Sequence, residues 1–293
     1  MRIDSHLHLW HYAPDEFGWI PESMAALRRD FAPQELAALC ADATVEGVIA
    51  VQARQSMEET YWLLELARTS PILGVVGWAP IAADDFPVTF ERLRQEPLLK
   101  GLRHIVQGEP EILARPEFQR GMRYLQGAGL VYDLLLYAHH LSLALPFVDL
   151  FPQQMFVLDH LGKPAIARGE IESWSKHVRE LARRPNLCCK VSGLVTEADP
   201  AAWTPMQLRP YFDIALECFG PDRLMVGTDW PVCTVGCSYT QWWALVEDWT
   251  ASLSVVERAA ILGETATRIY QLQRSTARDG MAQHRNTSSG APA

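Results

Sequence analysis

No uninterrupted apolar run in the 293 residues reaches the ~18 that a membrane-crossing helix requires, so a membrane partner is not expected. Basic residues are the scarcer charge: 26 Lys and Arg stand against 35 Asp and Glu, a net charge of −9. No cluster of Lys and Arg interleaves with aromatics, which removes the positive footprint that phosphate neutralisation needs and argues against nucleic acid. The six cysteines, at 40, 188, 189, 218, 233 and 237, contain no CxxC pair. Cys233 and Cys237 therefore read as free thiols in a loop, and the chain is too long to depend on disulfides. The start has one Arg followed by Asp and His, without the basic opening and apolar middle of a signal peptide, so a cytoplasmic location is expected. Also missing after the first apolar run is a GxGxxG turn, which excludes the usual dinucleotide site.

What is present is a repeated alternation. Short β-rich runs fall at 2–8, 46–52, 72–79, 100–107, 130–137, 154–160, 186–193 and 223–229. Amphipathic segments such as 32–43, 57–69, 116–128 and 171–184 lie between them, with apolar residues at i, i+3, i+4 and i+7. Near-continuous apolar strands imply burial on both faces and parallel pairing. Eight such units predict an α/β chain folded as a single-domain (β/α)₈ TIM barrel over 1–273. The polar, Ser/Gly/Ala/Thr-rich stretch 274–293 is expected to be a disordered tail.

The first strand carries the anomaly. In "MRIDSHLHLW", alternation puts Asp4, His6 and His8 on one face and Ile3, Ser5, Leu7 and Leu9 on the other. Unpaired buried polar groups cost roughly 2–7 kcal/mol. Two imidazoles facing one cavity can hold a metal ion, a carbonyl oxygen or each other. Barrel active sites lie at the C-terminal ends of strands, and all the histidines except His177 and His284 fall near the chain start or strand ends. Around them stand Arg54, Trp78, Arg103, His104, Tyr137, His139, His140, His160, Lys163, Lys190 and Asp229. Arg103 and His104 are adjacent, so the pleat admits only one to the barrel.

The set HxH on strand one, a histidine on strand six and an aspartate on strand eight resembles the amidohydrolase superfamily. The segments "DSHLHLW", "GLRHIVQ", "FVLDHLGKP" and "VGTDWPV" resemble its amidohydrolase-2 branch, which includes bacterial sugar lactonases of the L-fuconolactonase and L-rhamnonolactonase type. The resemblance runs from residue 1 to about 272. It implies hydrolysis of a sugar lactone to its aldonic acid, with Asp229 as the base that activates water. His160 and His104 complete the expected catalytic set, His104 being the member of its pair placed inside. Arg54, Trp78, Arg103, Tyr137, His139 and His140 are the expected binders of substrate hydroxyls. The bridging lysine or glutamate of a binuclear site is missing from strand four, so two metals are not expected. One Zn²⁺ on His6, His8 and Asp229 and a metal-free site both stay open, because an ester carbonyl is electrophilic enough for either. Few cations surround the mouth, which favours a neutral polyol over a dicarboxylated pyrone. The alternatives are a mononuclear-zinc nonoxidative decarboxylase of the same superfamily and a catalytically silent sugar-binding relative. Oligomeric state is not legible.

Overall fold

The computed structural model describes residues 1–273, and eight parallel strands run round it in the order β1 to β8. They are β1 (Ile3–Leu7), β2 (Gly47–Val51), β3 (Ile72–Gly77), β4 (Leu99–His104), β5 (Val131–Leu134), β6 (Phe156–Leu158), β7 (Leu187–Val191) and β8 (Leu224–Val226). This is the (β/α)₈ barrel. The predicted tail at 274–293 lies outside the described residues. Most apolar runs extend past their strands because the polar residues at their ends leave the ladder and form the mouth.

Helices follow the strands where the apolar period changes: Pro33–Asp42, Met57–Ala67, Pro116–Leu125 and Ile171–Ala182 match the four predicted segments. Pro33 and Pro116 sit in the first turn, where a missing N–H leaves no bond unmade. Ser56 caps its helix by accepting from the Glu59 N–H. Among the described residues no helix is long and apolar enough to cross a membrane.

Two apolar cores sandwich the strands. Outward-facing Leu7, Val48, Val75, Leu102 and Leu134 pack against helix residues such as Leu63, Phe90 and Phe147. Inward-facing Ile3, Ile49, Val76, Val131, Val157 and Met225 fill the N-terminal half of the barrel, and Ala266, Ile269 and Tyr270 plug it from below.

The ladder between β8 and β1 is reduced to a seam. The Asp229 N–H donates to the His6 carbonyl at 2.8 Å and the His8 N–H to the Trp230 carbonyl at 2.6 Å. Gly227 permits this approach, since a Cβ there would lie 2.7 Å from the His6 Cβ. Along the other edge of β1, Asp4 pairs with Val48 but Leu7 with Ala50, so three steps on one strand match two on its neighbour. This bulge breaks the alternation. Asp4 consequently turns away from the barrel axis, accepting from the Thr228 N–H and Oγ1–H at 2.9 and 2.6 Å, while His6 and His8 face inward. The expectation that Asp4 shares their face is corrected.

Candidate active site

The barrel interior changes character halfway up. Above the apolar floor, β5, β6 and β7 deliver Asp133, Asp159 and Lys190, all fully buried. Lys190 Nζ lies 2.5 Å from Asp133 Oδ2 and 3.0 Å from Asp159 Oδ1. From β4, Arg103 donates to Asp159 Oδ2 at 2.9 Å, and Tyr270 donates to Asp133 Oδ1 at 2.8 Å from the C-terminal plug. Two cations thus balance two carboxylates where no water can do so, the condition under which buried charge is tolerated.

On this layer rests the mouth. His6 Nε2 and His8 Nε2 are 3.2 Å apart. Asp229 Oδ1 lies 3.3 Å from His8 Nε2, 3.8 Å from His6 Nε2 and 4.0 Å from His160 Nε2. Each imidazole is held from behind: His8 Nδ1 donates to the Val51 carbonyl at 2.8 Å, and His160 Nδ1 pairs with Ser192 Oγ at 2.8 Å. The backbone at His160 and Asp229 is left-handed, with φ of 54° and 60°. Such conformations in non-glycine residues gather at sites where the surroundings over-determine them. Gly193 makes room for the His160 ring, because a Cβ there would sit 2.7 Å from Nδ1.

Burial fixes the protonation states. It holds His6 well below its ordinary pKa, and it lowers His160 to about 4 against the pull of Asp229 and Asp159. Both rings are neutral near pH 7. Burial alone would raise Asp229, but His160, the His8 hydrogen bond and Lys163 outweigh it and keep the carboxyl below its usual range. Asp159 behaves likewise, with Lys190, His6 and Arg103 overcoming burial. Asp229 is therefore an ionised carboxylate at the entrance.

A cavity of about 130 Å³ opens here, bounded by His8, Arg103, His160 and Asp229 below and by Trp19, Gln107 and Lys163 above, with an apolar side of Ile105, Leu135 and Val232. Arg103, not His104, enters the barrel. His104 points into the helix layer, accepting from Trp78 Nε1 at 3.3 Å and lying 3.4 Å from Glu109, edge-on to Phe118. Its placement in the site is corrected, and Trp78 goes outward with it. Arg54 is likewise absent from the cavity: it pairs with Glu16 and Glu59 and borders a separate hollow beside Trp10 and Trp62. Tyr137 and His139 line an adjoining cavity of about 350 Å³ that meets the first at Lys163. His140 lies against the His139 ring, at 4.0 Å between centroids, and borders neither space. Sequence reasoning missed Asp133 and Asp159. Both carried a signal: an acidic residue inside "VYDLL" and "FVLDH", runs that are otherwise mostly apolar.

With this geometry in view, the relatives are informative. The family model described as Amidohydrolase matches residues 3–272. The chain belongs to the amidohydrolase family. An L-fucono-1,5-lactonase of Burkholderia multivorans is 40% identical over 288 residues, covering 93% of this chain and 96% of that protein. An L-fucono-1,5-lactonase of Burkholderia ambifaria is 34% identical over 93% of this chain and 96% of its own length. A crystal structure of a Burkholderia multivorans amidohydrolase with bound zinc superposes with a TM-score of 0.90 at 39% identity, covering 93% of this chain and all of that one.

Whether this amidohydrolase's own residues suit a metal ion can be judged from spacing. Tetrahedral zinc with Zn–N of about 2.0–2.1 Å needs donors roughly 3.3–3.4 Å apart. The His6, His8 and Asp229 atoms, at 3.2, 3.3 and 3.8 Å, fit. The His8 bond to Val51 fixes the tautomer whose Nε2 lone pair faces the site. A second grouping, His6, Asp159 and His160, is a poorer host, because Arg103 and Lys190 already crowd the Asp159 oxygens.

Proposed function

We propose that the chain hydrolyses a sugar lactone of the L-fuconolactone type to its aldonic acid. What carries this reading is the convergence of His8, Arg103, His160 and Asp229 on one small cavity, with His6 buried 3.2 Å behind His8, in a chain 40% identical along nearly its whole length to an L-fucono-1,5-lactonase. Asp229, ionised and at the cavity wall, takes a proton from water as the water oxygen attacks the lactone carbonyl carbon. Negative charge develops on the carbonyl oxygen. Arg103, with its Nε buried and unpartnered, and the imidazoles at the cavity floor stabilise it. The ring C–O bond then breaks, and Asp229 returns its proton to the departing alkoxide, leaving a hydroxy acid. His160 is neutral and orients that oxygen instead of protonating it. Zinc held by His6, His8 and Asp229 would supply Lewis acidity, polarising the carbonyl and lowering the pKa of water.

Lys163, with Gln107 at 3.0 Å and Glu197 at 3.2 Å, is a polar rim for the ring hydroxyls. The cysteines are all unpaired, as in a reducing compartment, which agrees with a cytoplasmic location. The test is acid release from a panel of aldonolactones, followed with a pH indicator. Turnover of a 6-deoxyaldonolactone supports the reading. Release of CO₂ from aromatic acids, or thermal stabilisation by sugars with no turnover, refutes it.

A further inference from the structure

Lys190 and Asp159 Oδ1 present a pattern that the reaction does not use. Lys190 Nζ lies 3.1 Å from His6 Nδ1, in hydrogen-bonding geometry. Asp159 Oδ1 is fully buried and lies 3.2 Å from the same nitrogen; apart from its 3.0 Å ion pair with Lys190 it receives no aligned hydrogen bond. An ammonium has donors only, so a Lys190 N–H directed at Nδ1 requires a lone pair there and places the neutral ring's proton on Nε2. That proton has an acceptor. His8 Nε2 lies 3.2 Å away, and its lone pair is exposed because His8 Nδ1 donates to Val51. The chain Lys190 to His6 to His8 to Val51 joins the shorter contacts, whereas Arg103 Nη1, a donor only and 3.4 Å from His6 Nε2, favours the opposite tautomer. A metal ion at His6 Nε2 needs the opposite tautomer, with the proton on Nδ1, and the nearest carboxylate acceptor for it is Asp159 Oδ1, the oxygen already paired with Lys190 at 3.0 Å.

We propose that Lys190 and Asp159 are positioning residues that compete for His6 Nδ1 and so decide whether His6 is a hydrogen-bond donor or a metal ligand. The exchange leaves the ring neutral: one proton departs from Nε2 and one is taken up at Nδ1, with solvent as source and sink. Lys190 stays charged and keeps its bonds to Asp133 and Asp159. This inference rests on the reading of His6, His8 and Asp229 as a zinc site.

The test uses the full chain labelled with ¹⁵N in histidine. Nitrogen shifts of His6, assigned by loss of its signals in His6→Gln, are read after chelator treatment and again after adding zinc. The expected result is Nε2–H without zinc and Nδ1–H with it. A metal-free spectrum already showing Nδ1–H overturns the role of Lys190. Zinc affinity, measured by competition with a chromophoric chelator, should fall about 10–100-fold in Asp159→Asn, the range for loss of a ligand's outer partner. In Lys190→Met it should not fall. Unchanged affinity in Asp159→Asn, with the circular dichroism spectrum preserved, overturns the role of Asp159. If the wild-type chain takes up no zinc, the metal reading itself fails and the exchange with it, while the metal-free spectrum still scores the Lys190 contact.

Discussion

The two halves of the barrel interior are made by the same strands and obey opposite rules. In the lower half, Ile3, Ile49, Val131, Val157 and Met225 meet one another and the C-terminal plug in a dry, apolar floor. One inward position further along, β5, β6 and β7 place Asp133, Asp159 and Lys190 where no solvent reaches them. Burial of apolar side chains stabilises by roughly 1.5–3 kcal/mol each. A buried ion costs several kcal/mol before its partners recover it, and apolar replacements of such networks are often neutral or stabilising. Stability alone would have continued the Val and Ile upward. The charged layer is instead a rigid base for His6, and the contrast separates residues that hold the barrel together from residues that hold its chemistry in place.

Breaking the upper half should cost turnover first. Asp229→Asn is expected to lower kcat on the order of 10²–10⁴-fold, the usual contribution of a positioned base, with an unchanged circular dichroism spectrum; near-wild-type hydrolysis would remove Asp229 from the mechanism. Arg103→Ala should lower kcat/KM by roughly 10²–10³-fold, as for a lost oxyanion donor. It should also destabilise by about 3–5 kcal/mol, because Asp159 loses one of its two buried cations and keeps only Lys190, both read from kinetics and denaturant melts of one preparation. Breaking the lower half should do the reverse. Ile49→Ala is expected to cost about 2–5 kcal/mol in urea unfolding while kcat holds.

The acid limb of stability sharpens the comparison further. His160 titrates near 4 in the folded chain against 6.5 when free. The unfolded chain therefore binds the extra proton between these values, and stability should fall as pH drops from 6.5 to 4. In metal-free protein, His160→Gln should flatten that slope. A slope unchanged in the variant would show that the loss comes from other groups. The smallest effect belongs to His104→Ala, which should leave kcat within about twofold and cost around 1 kcal/mol of stability, because its ring packs outside the barrel.

Much of this was readable from the chain itself. Apolar runs bounded by polar punctuation fixed eight strands, and HxH at 6–8 with Asp229 after the last run marked the mouth. Periodicity did not reach side-chain direction at three places. At β1 a bulge turned Asp4 from the site to Thr228. At β4 the pairing register sent Arg103 inward and His104 outward. At the rim, Arg54, Trp78, Tyr137, His139 and His140 depend on loop paths, and loops have no repeat from which a direction follows.

The sequence by itself therefore determined the eightfold alternation, the barrel and the three groups at residues 6, 8 and 229, because each is written in local spacing or in one residue type at a strand end. Only the closed tertiary structure decided that Asp133, Asp159, Lys190 and Arg103 meet beneath His6. They come from four strands, and their contact depends on register summed around the barrel, a quantity that no single segment contains.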